Sequence, residues 1–536
     1  MLGISSRHRV RLALVYRAVL WLVACCGGGS GVAAPADGQD VTISKHGGGY
    51  NVLFLMTDEQ HYRSLSSTGN RYITTPNMDR IGREGARFDH ATCVTPYCSP
   101  SRASIITGVY PHTHRILMNV GDGKRGPAPL SQNAFPNTET ILHRQGYATA
   151  HRGKWHLSAT SDFAAGSTGD FDCYEPGNYL GKTDEEYKKF LDERLPANQF
   201  AGHPSPGKYL GRPVEMIPAM EKTYRAAQAD PQGYWAYIAI IGRSVIPPEL
   251  LPETRITDDA LRLLEQHAHE RFMITVSWSP PHDLWVAPEP YYSLIDRRKI
   301  EIRGSRTISD WCTAGFSKRL GDMAGEEGIR EFEAVYYGMV KYIDDQVGRV
   351  LNKLDELGLA ENTLVIFTTD HGDMVGAHGC IGKCTEGYSD DLVRIPLLMR
   401  LPGVIKAGTV VRQPVSQVDL MPTILDYVGQ SLPEHIHGQS ARPLLEGRDV
   451  PWRNYAFCQR ADQSRMLRTE RYKYVFAPRS KNIALYDLQQ DPDENHDLAH
   501  APELAGVVRQ MHRHLLQVMA KDGDPLQSKF PDDPLP

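Results

Sequence analysis

The sequence lacks most of the features that would place it in a specialised class. Its apolar run near the start, Ala18 to Cys26, is far shorter than the roughly 20 residues a membrane-spanning helix needs. There is no internal repeat. Neither charge dominates, with 59 Lys+Arg against 64 Asp+Glu, and no basic block follows residue 24. A nucleic-acid binder would need clustered Lys and Arg to neutralise phosphates, so that class is excluded. At 23% charged and 41% hydrophobic, disorder, collagen and coiled coil are excluded as well. Cysteine is scarce, nine in 536 residues. Glycine (47) and proline (36) are slightly abundant, which predicts long irregular connections.

The first 24 residues contain Arg7, Arg9, Arg11 and Arg17 but no acid, and the short apolar run follows. This is the pattern of a secretion signal. Leu22-Val23-Ala24-Cys25 and the Gly27–Gly31 tether resemble the bacterial lipobox, which predicts cleavage before Cys25 and a lipid anchor on it. The alternative is ordinary cleavage near Val32-Ala33-Ala34. The expected location is therefore exported, periplasmic or at the cell surface. Beyond the leader stand Cys93, Cys98, Cys173, Cys312, Cys380, Cys384 and Cys458, an odd number that cannot all pair among themselves.

Asn51–Met56 is a continuous apolar run of the kind that forms a strand buried on both faces. Phe272–Trp278 and Thr363–Thr368 repeat it. Between them, a helix is expected from Thr75-Pro76 to about Ala86, another capped by Thr257, and a long amphipathic one marked by Val335, Met339, Tyr342, Val347 and Leu351. Alternating strands and helices predict an α/β fold, a mostly parallel central sheet covered by helices on both faces. Residues 160–250 look like an elaborated insertion near a site. After Leu444-Leu445 the pattern becomes short alternating runs with a closing helix near Leu504–Met519, predicting a smaller C-terminal α+β subdomain. The expected divisions are a signal at 1–24, a tether at 25–48, a catalytic domain at 49–445 and the C-terminal unit at 446–536.

Asp58 and Asp370 each stand just past a buried strand, where open α/β sheets bind ligands. Glu59 and His371 are beside them. Acidic oxygens converging from separate strands suit a hard cation such as Ca²⁺ or Mg²⁺, although an acid at a strand end is often only a solvated loop residue. Thr95-Pro-Tyr-Cys98-Ser-Pro100-Ser101-Arg102 continues into Thr107-Gly108 and Tyr110-Pro111-His112. Pro100 is expected to open a short helix through Ile106, placing Cys98 near a helix N-terminus that favours an anion.

This stretch resembles the signature of the formylglycine-dependent sulfatases, in which Cys-x-Pro-Ser-Arg marks a cysteine oxidised to formylglycine by a maturation enzyme. Further similarities run along nearly the whole chain in the family's order: Asn51 to Gln60, Gly153-Lys154-Trp155-His156-Leu157, Pro281-His282, Thr369-Asp370-His371-Gly372-Asp373, His378-Gly379 through Lys383, and Leu485-Tyr486-Asp487-Leu488 with Asp491-Pro492. Glu59 departs from the Asp or Gln common in relatives. The spacing from Lys383 to Arg394-Ile395-Pro396 is a residue or two longer than usual.

The resemblance implies an alkaline phosphatase-like fold and a sulfatase acting on a sulfate monoester. Formylglycine made from Cys98 would attack sulfur, with one Ca²⁺ held by Asp58, Glu59, Asp370, His371 and the modified Cys98. Arg102 and Lys154 would anchor the nucleophile and the developing charge. His282 with Lys383 would sit by the leaving oxygen, and His156 would take a proton from the sulfated diol. His378 is expected to be structural or to support the site residues from behind. Export and the aromatics Tyr174, Tyr179, Tyr209, Tyr224, Tyr234 and Trp235 favour a sulfated carbohydrate as substrate. Two alternatives are a phosphonate or phosphate ester hydrolase of the same superfamily and a non-catalytic lipoprotein that binds sulfated glycans.

Overall fold

The structure, a computed structural model, describes residues 49–120, 135–157, 189–195, 214–230, 236, 238–304, 315–384 and 387–535, with backbone alone at 170–174. The leader with Cys25 and the tether lie outside the described residues. So do Cys312, Tyr179, Tyr209, Tyr234, Trp235 and the side chains of Cys173 and Tyr174.

An eight-stranded sheet forms the centre. Its strands in chain order are β1 (Asn51–Thr57), β2 (Ala86–Phe88), β3 (Ala148–Lys154), β4 (Asp170–Tyr174), β5 (Phe272–Ser277), β6 (Thr363–Thr369), β7 (Leu397–Arg400) and β8 (Thr409–Val411). They lie in the order β8-β2-β7-β6-β1-β5-β3-β4. Only β7 runs against the others, pairing antiparallel with both β6 and β2. The mostly parallel sheet read from the sequence is the observed one.

Alternation along β1 sends its side chains to two separate cores. Val52, Phe54 and Met56 join Leu364, Ile366, Ile105, Leu142 and Ile424 on one face. Leu53 and Leu55 join Ile274, Val276, Val365, Phe367, Leu263, Ile343 and Val347 on the other. Both faces are therefore roofed, the first partly by α2 (Cys98–Thr107) and the second by α3 (Pro252–Gln266) and α4 (Phe316–Glu356). Each Leu, Ile or Phe side chain fully removed from water contributes roughly 1.5–3 kcal/mol, so the central strands are the best-held part of the molecule.

Several helix boundaries differ from the sequence expectation, each for a tertiary reason. The helix α1 (Pro76–Glu84) stops short of Ala86, which opens β2. Thr75 makes no cap bond, and Asp344 on α4 accepts from the N–H groups of Asn77 (3.1 Å) and Met78 (2.8 Å) instead. Thr257 does not cap α3, which begins five residues earlier at Pro252. Its hydroxyl donates to Glu253 O (2.9 Å) and accepts from Trp278 Nε1 (3.1 Å). α2 begins at Cys98 itself, with Pro100 as its third residue, where a missing N–H costs nothing.

The C-terminal part holds a four-stranded antiparallel sheet, β9 (Ala456–Arg460), β10 (Ser464–Arg468), β11 (Tyr472–Ala477) and β12 (Asn482–Asp487), with α5 (Ala505–Lys521) packed on it. Val94, Tyr110 and Val418 share that apolar cluster, and Gln459 N donates to Val94 O (2.8 Å). In the 160–250 region, Pro218–Ala229 is helical and Ile241–Ser244 a strand. Tyr224, expected on a sugar-facing surface, packs against the apolar core. Among the described residues no helix is long and apolar enough to cross a membrane.

Candidate active site

The carboxyl ends of four neighbouring parallel strands supply the site. Thr57 of β1 pairs in register with Thr369 of β6, so Asp58 and Asp370 leave the sheet side by side. Gly153 of β3 pairs with Ser277 of β5, which brings Lys154 to the same level. The β3 backbone passes so close to β5 that a Cβ on Gly153 would lie 2.0 Å from Ser277 O, at a φ of +95° that side chains rarely adopt. Glycine is therefore required beside Lys154. α2 then aims its first residue, Cys98, over the strand ends.

Asp58, Cys98, Asp370 and His371 are all buried, and one ligand atom from each lies within 4.8 Å of the others. Asp370 Oδ1 accepts from Glu59 N (3.0 Å) and His371 N (2.9 Å), and its Oδ2 from Arg102 Nε (2.8 Å). Arg102 also donates to Asp58 Oδ2 (3.2 Å), Lys154 O (2.8 Å) and Ser277 Oγ (3.0 Å). Lys154 Nζ pairs with Asp58 Oδ2. Burial and Cys98 oppose ionisation of Asp58, but Lys154, His282 and Arg102 outweigh them and hold its carboxyl below the usual range. Burial and neighbouring Asp58 push Asp370 up.

Cys98 Sγ lies 3.2 Å from His371 Nε2, 3.8 Å from Asp58 Oδ1 and 3.9 Å from Lys383 Nζ, with His156 also bonded to it. Burial works against a thiolate, yet Lys154, Lys383 and His371 hold the thiol well below its ordinary value. His371 Nδ1 donates to Gly372 O (2.9 Å), which leaves Nε2 turned toward Cys98 and the acids. This orientation, one ring nitrogen fixed by a carbonyl and the other presented, is that of a metal-binding histidine. Although burial disfavours the imidazolium, Asp370 and Cys98 raise His371 to about 10, a measure of the negative potential any cation would meet at Nε2. The donor set thus fits a divalent cation.

Glu59 falls into a second cluster, with Asp58 and His282. Its Oε2 accepts from Lys383 Nζ (2.8 Å) and lies 3.4 Å from His282 Nε2, while Lys383 Nζ is 3.1 Å from the same nitrogen. Glu59 thus pairs with Lys383 and His282, and through Asp58 its group adjoins the cluster around Cys98. Glu59 and His156 both have left-handed backbones, φ +66° and +62°, and such strain gathers at functional sites. Burial drives His156 down to about 4, with Lys154 adding to the effect, so its ring is neutral near pH 7.

Two acids were missed by the sequence reading. Asp283 holds His282 Nδ1 (2.9 Å), and Asp373, whose Oδ1 accepts from Val375 N (2.7 Å), is pushed well up by burial and by the neighbouring Glu59. The only signal was adjacency, since each sits next to or two residues from a recognised histidine. His378 is buried, and its backbone N–H donates to Arg303 O (2.8 Å). The odd cysteine count did not single out Cys98. Among the described residues Cys93, Cys98, Cys380, Cys384 and Cys458 are all buried, and none joins a disulfide.

The sulfatase family model matches residues 50–430, and a second model, described as N-sulphoglucosamine sulphohydrolase, C-terminal, matches 376–521. The chain is 27% identical over 511 residues to an N-acetylglucosamine-6-O-sulfatase of Bacteroides thetaiotaomicron, covering 89% of this chain and 87% of that one. To an arylsulfatase of Clostridium perfringens it is 25% identical over 506 residues, covering 90% and 98%. A phosphonate monoester hydrolase structure from Silicibacter pomeroyi aligns with a TM-score of 0.70 at 24% identity, covering 89% and 97%. A structure in complex with D-glucosamine-2-N,6-O-disulfate aligns at 0.64 and 21%, covering 89% and 99%. These two show the shared fold. The chain belongs to the sulfatase family and is a sulfuric ester hydrolase.

Proposed function

We propose that the enzyme hydrolyses a sulfate monoester on a carbohydrate, with Cys98 converted to formylglycine and one calcium ion beside it. The observation that carries this is the placement of Cys98: first residue of a helix, thiol depressed, within reach of Asp58, His371, Lys383 and His156. Asp58, Asp370, His371 and residue 98 would hold the calcium, which would offset the charge of the sulfate oxygens. Formylglycine in its hydrated form would supply the oxygen nucleophile.

The remaining work falls to this chain's own side chains. Arg102 clamps Asp58 and Asp370 together, and Lys154 shares Asp58, so both cations are already oriented before substrate arrives. His282 is held through Nδ1 by Asp283, and its Nε2 shares a proton site with Lys383. That pair is suited to protonating the departing sugar oxygen. His156, neutral near pH 7 and bonded to residue 98, is suited to accepting a proton from that residue.

A carbohydrate substrate is supported by the N-acetylglucosamine-6-O-sulfatase relative. Export and a lipid anchor at Cys25 rest on the leader sequence, and a formylglycine-generating enzyme is the required maturation partner. Mass spectrometry of the peptide spanning Cys98, from protein made with that enzyme, should show a loss of about 18 Da against unmodified cysteine. Only intact thiol there, despite competent maturation, overturns the proposal. For the anchor, unchanged membrane association of a Cys25→Ala protein is the refuting result.

A further inference from the structure

Gln417 belongs to none of the motifs read from the sequence, yet it is buried beneath the Cys98 site with only 1% of its surface exposed. It opens a short 3₁₀ turn, Gln417–Asp419, directly after the two-residue strand Val415–Ser416. That strand pairs in parallel with Ala91–Thr92, on the segment that leads into α2. A capping box closes the turn, with Asp419 Oδ2 accepting from Ser416 N (2.8 Å). Asp419 is in turn held by Arg453 Nη1 (2.9 Å) and Gln439 N (3.0 Å). The backbone under Gln417 is therefore fixed by groups outside the Cys98 cluster.

Its amide joins three segments. Oε1 accepts from Val94 N (3.1 Å) and Ser101 Oγ (2.5 Å), while Nε2 donates to Thr369 O (3.0 Å) and Asp370 O (2.7 Å). A backbone N–H can only donate and a carbonyl can only accept, so these partners settle which end of the amide is oxygen. Both N–H hydrogens and both oxygen lone pairs are used. An ionised glutamate of the same length would have no proton for either carbonyl.

The segments so joined carry the site. Val94 leads into α2, Ser101 lies in its first turn behind Cys98, and Thr369-Asp370 is the end of β6, with His371 next. Arg102 Nε grips the carboxylate of Asp370 (2.8 Å), which can still turn about its own side-chain bonds, whereas Gln417 grips the main chain. Ser101 Oγ also reaches Asp370 O, but its single proton is shared with Gln417 Oε1. On the β3 side, Ser99 Oγ ties α2 to His156 O (2.6 Å). Gln417 is the matching tie on the β6 side, and the 3.2 Å between Cys98 Sγ and His371 Nε2 spans that junction.

We propose that Gln417 is a positioning residue for sulfate ester hydrolysis, setting the separation between residue 98 and the Asp370–His371 pair. The inference rests on the roles proposed above for those three residues. Gln417 itself meets no reacting atom, since its amide is spent on main chain and on Ser101. A reacting group displaced by about 1 Å loses on the order of a hundredfold in rate, and groups that orient metal ligands change metal affinity by about 10–100-fold. Both kcat and calcium affinity should therefore depend on Gln417, with little effect on KM.

Two variants of the full chain test it below the lower Tm. Gln417→Met keeps the length and removes the amide. Gln417→Asn keeps the amide but is shorter by one carbon–carbon bond, about 1.5 Å, so it cannot hold α2 and β6 together; it carries the test if the Met variant fails to fold. A crystal structure of unmatured Gln417→Asn should show the Cys98 Sγ to His371 Nε2 separation changed by about 0.5 Å or more. In matured protein, calcium should bind about tenfold more weakly and kcat on N-acetylglucosamine 6-sulfate should fall about a hundredfold, with KM within about threefold. A merely structural role lowers Tm and leaves the separation, the calcium affinity and kcat of the folded protein unchanged. An unchanged separation, or a folded variant with kcat within about twofold of wild type, overturns the proposal. Wild type that binds no calcium would instead refute the proposed metal, and the separation and kcat would still decide the role of Gln417.

Discussion

Replacing Lys383 separates proton donation from simple charge stabilisation. Its ammonium lies 2.8 Å from Glu59 Oε2 and 3.1 Å from His282 Nε2, at the edge of the site where a leaving oxygen would emerge. If the Lys383–His282 pair protonates that oxygen, its loss costs about 10²–10⁴ in rate, or roughly 3–5 kcal/mol of barrier. The cost must depend on the leaving group. A sugar alkoxide is too basic to depart without the proton, whereas nitrophenolate leaves unaided. Lys383→Gln keeps an N–H for Glu59 and should fold normally. Lys383→Met leaves the buried Glu59 carboxylate with His282 as its one remaining cationic neighbour among the described residues and should cost up to about 3 kcal/mol of stability as well. The assay compares kcat for N-acetylglucosamine 6-sulfate and 4-nitrophenyl sulfate in wild type and Lys383→Gln. Expected is a loss of at least a hundredfold on the sugar sulfate and under tenfold on the aryl ester, with His282→Ala adding little on top. Equal losses on both substrates would show that Lys383 stabilises charge without supplying a proton.

Gly153→Ala should lower stability by more than about 2 kcal/mol and displace Lys154, because the added methyl meets Ser277 O at a left-handed φ; urea unfolding together with turnover reads both. His61, fully buried, is lowered to about 4, mainly by burial and against the pull of Asp391. Between pH 6.5 and 4 the unfolded chain binds the proton that the native state refuses, so stability rises with pH across this window and is lost as pH falls through it. His61 alone should contribute on the order of 3 kcal/mol, and a Tm that stays flat from pH 7 to 4 would contradict the assignment. Chelation should lower Tm and calcium restore it, by about 2.7 kcal/mol at a hundredfold excess over Kd, with Asp370→Asn abolishing the response.

The sequence by itself determined the central strands and singled out residues that the fold brings together around Cys98. Runs such as Asn51–Met56 and Thr363–Thr368 have no polar face, and a strand without one must be buried on both sides, which demands a parallel sheet with two helical roofs. Cys98, Arg102, Lys154 and Asp370 were legible because their motifs preserve local spacing. Tertiary structure decided what local spacing cannot encode. Asp344, more than 260 residues away, caps α1 where Thr75 does not. Glu59 is adjacent to Asp58 in sequence, yet its carboxylate pairs with Lys383, over 300 residues distant. Charge complementarity and backbone direction act across space, so a partner's identity appears only once the chain has folded around it.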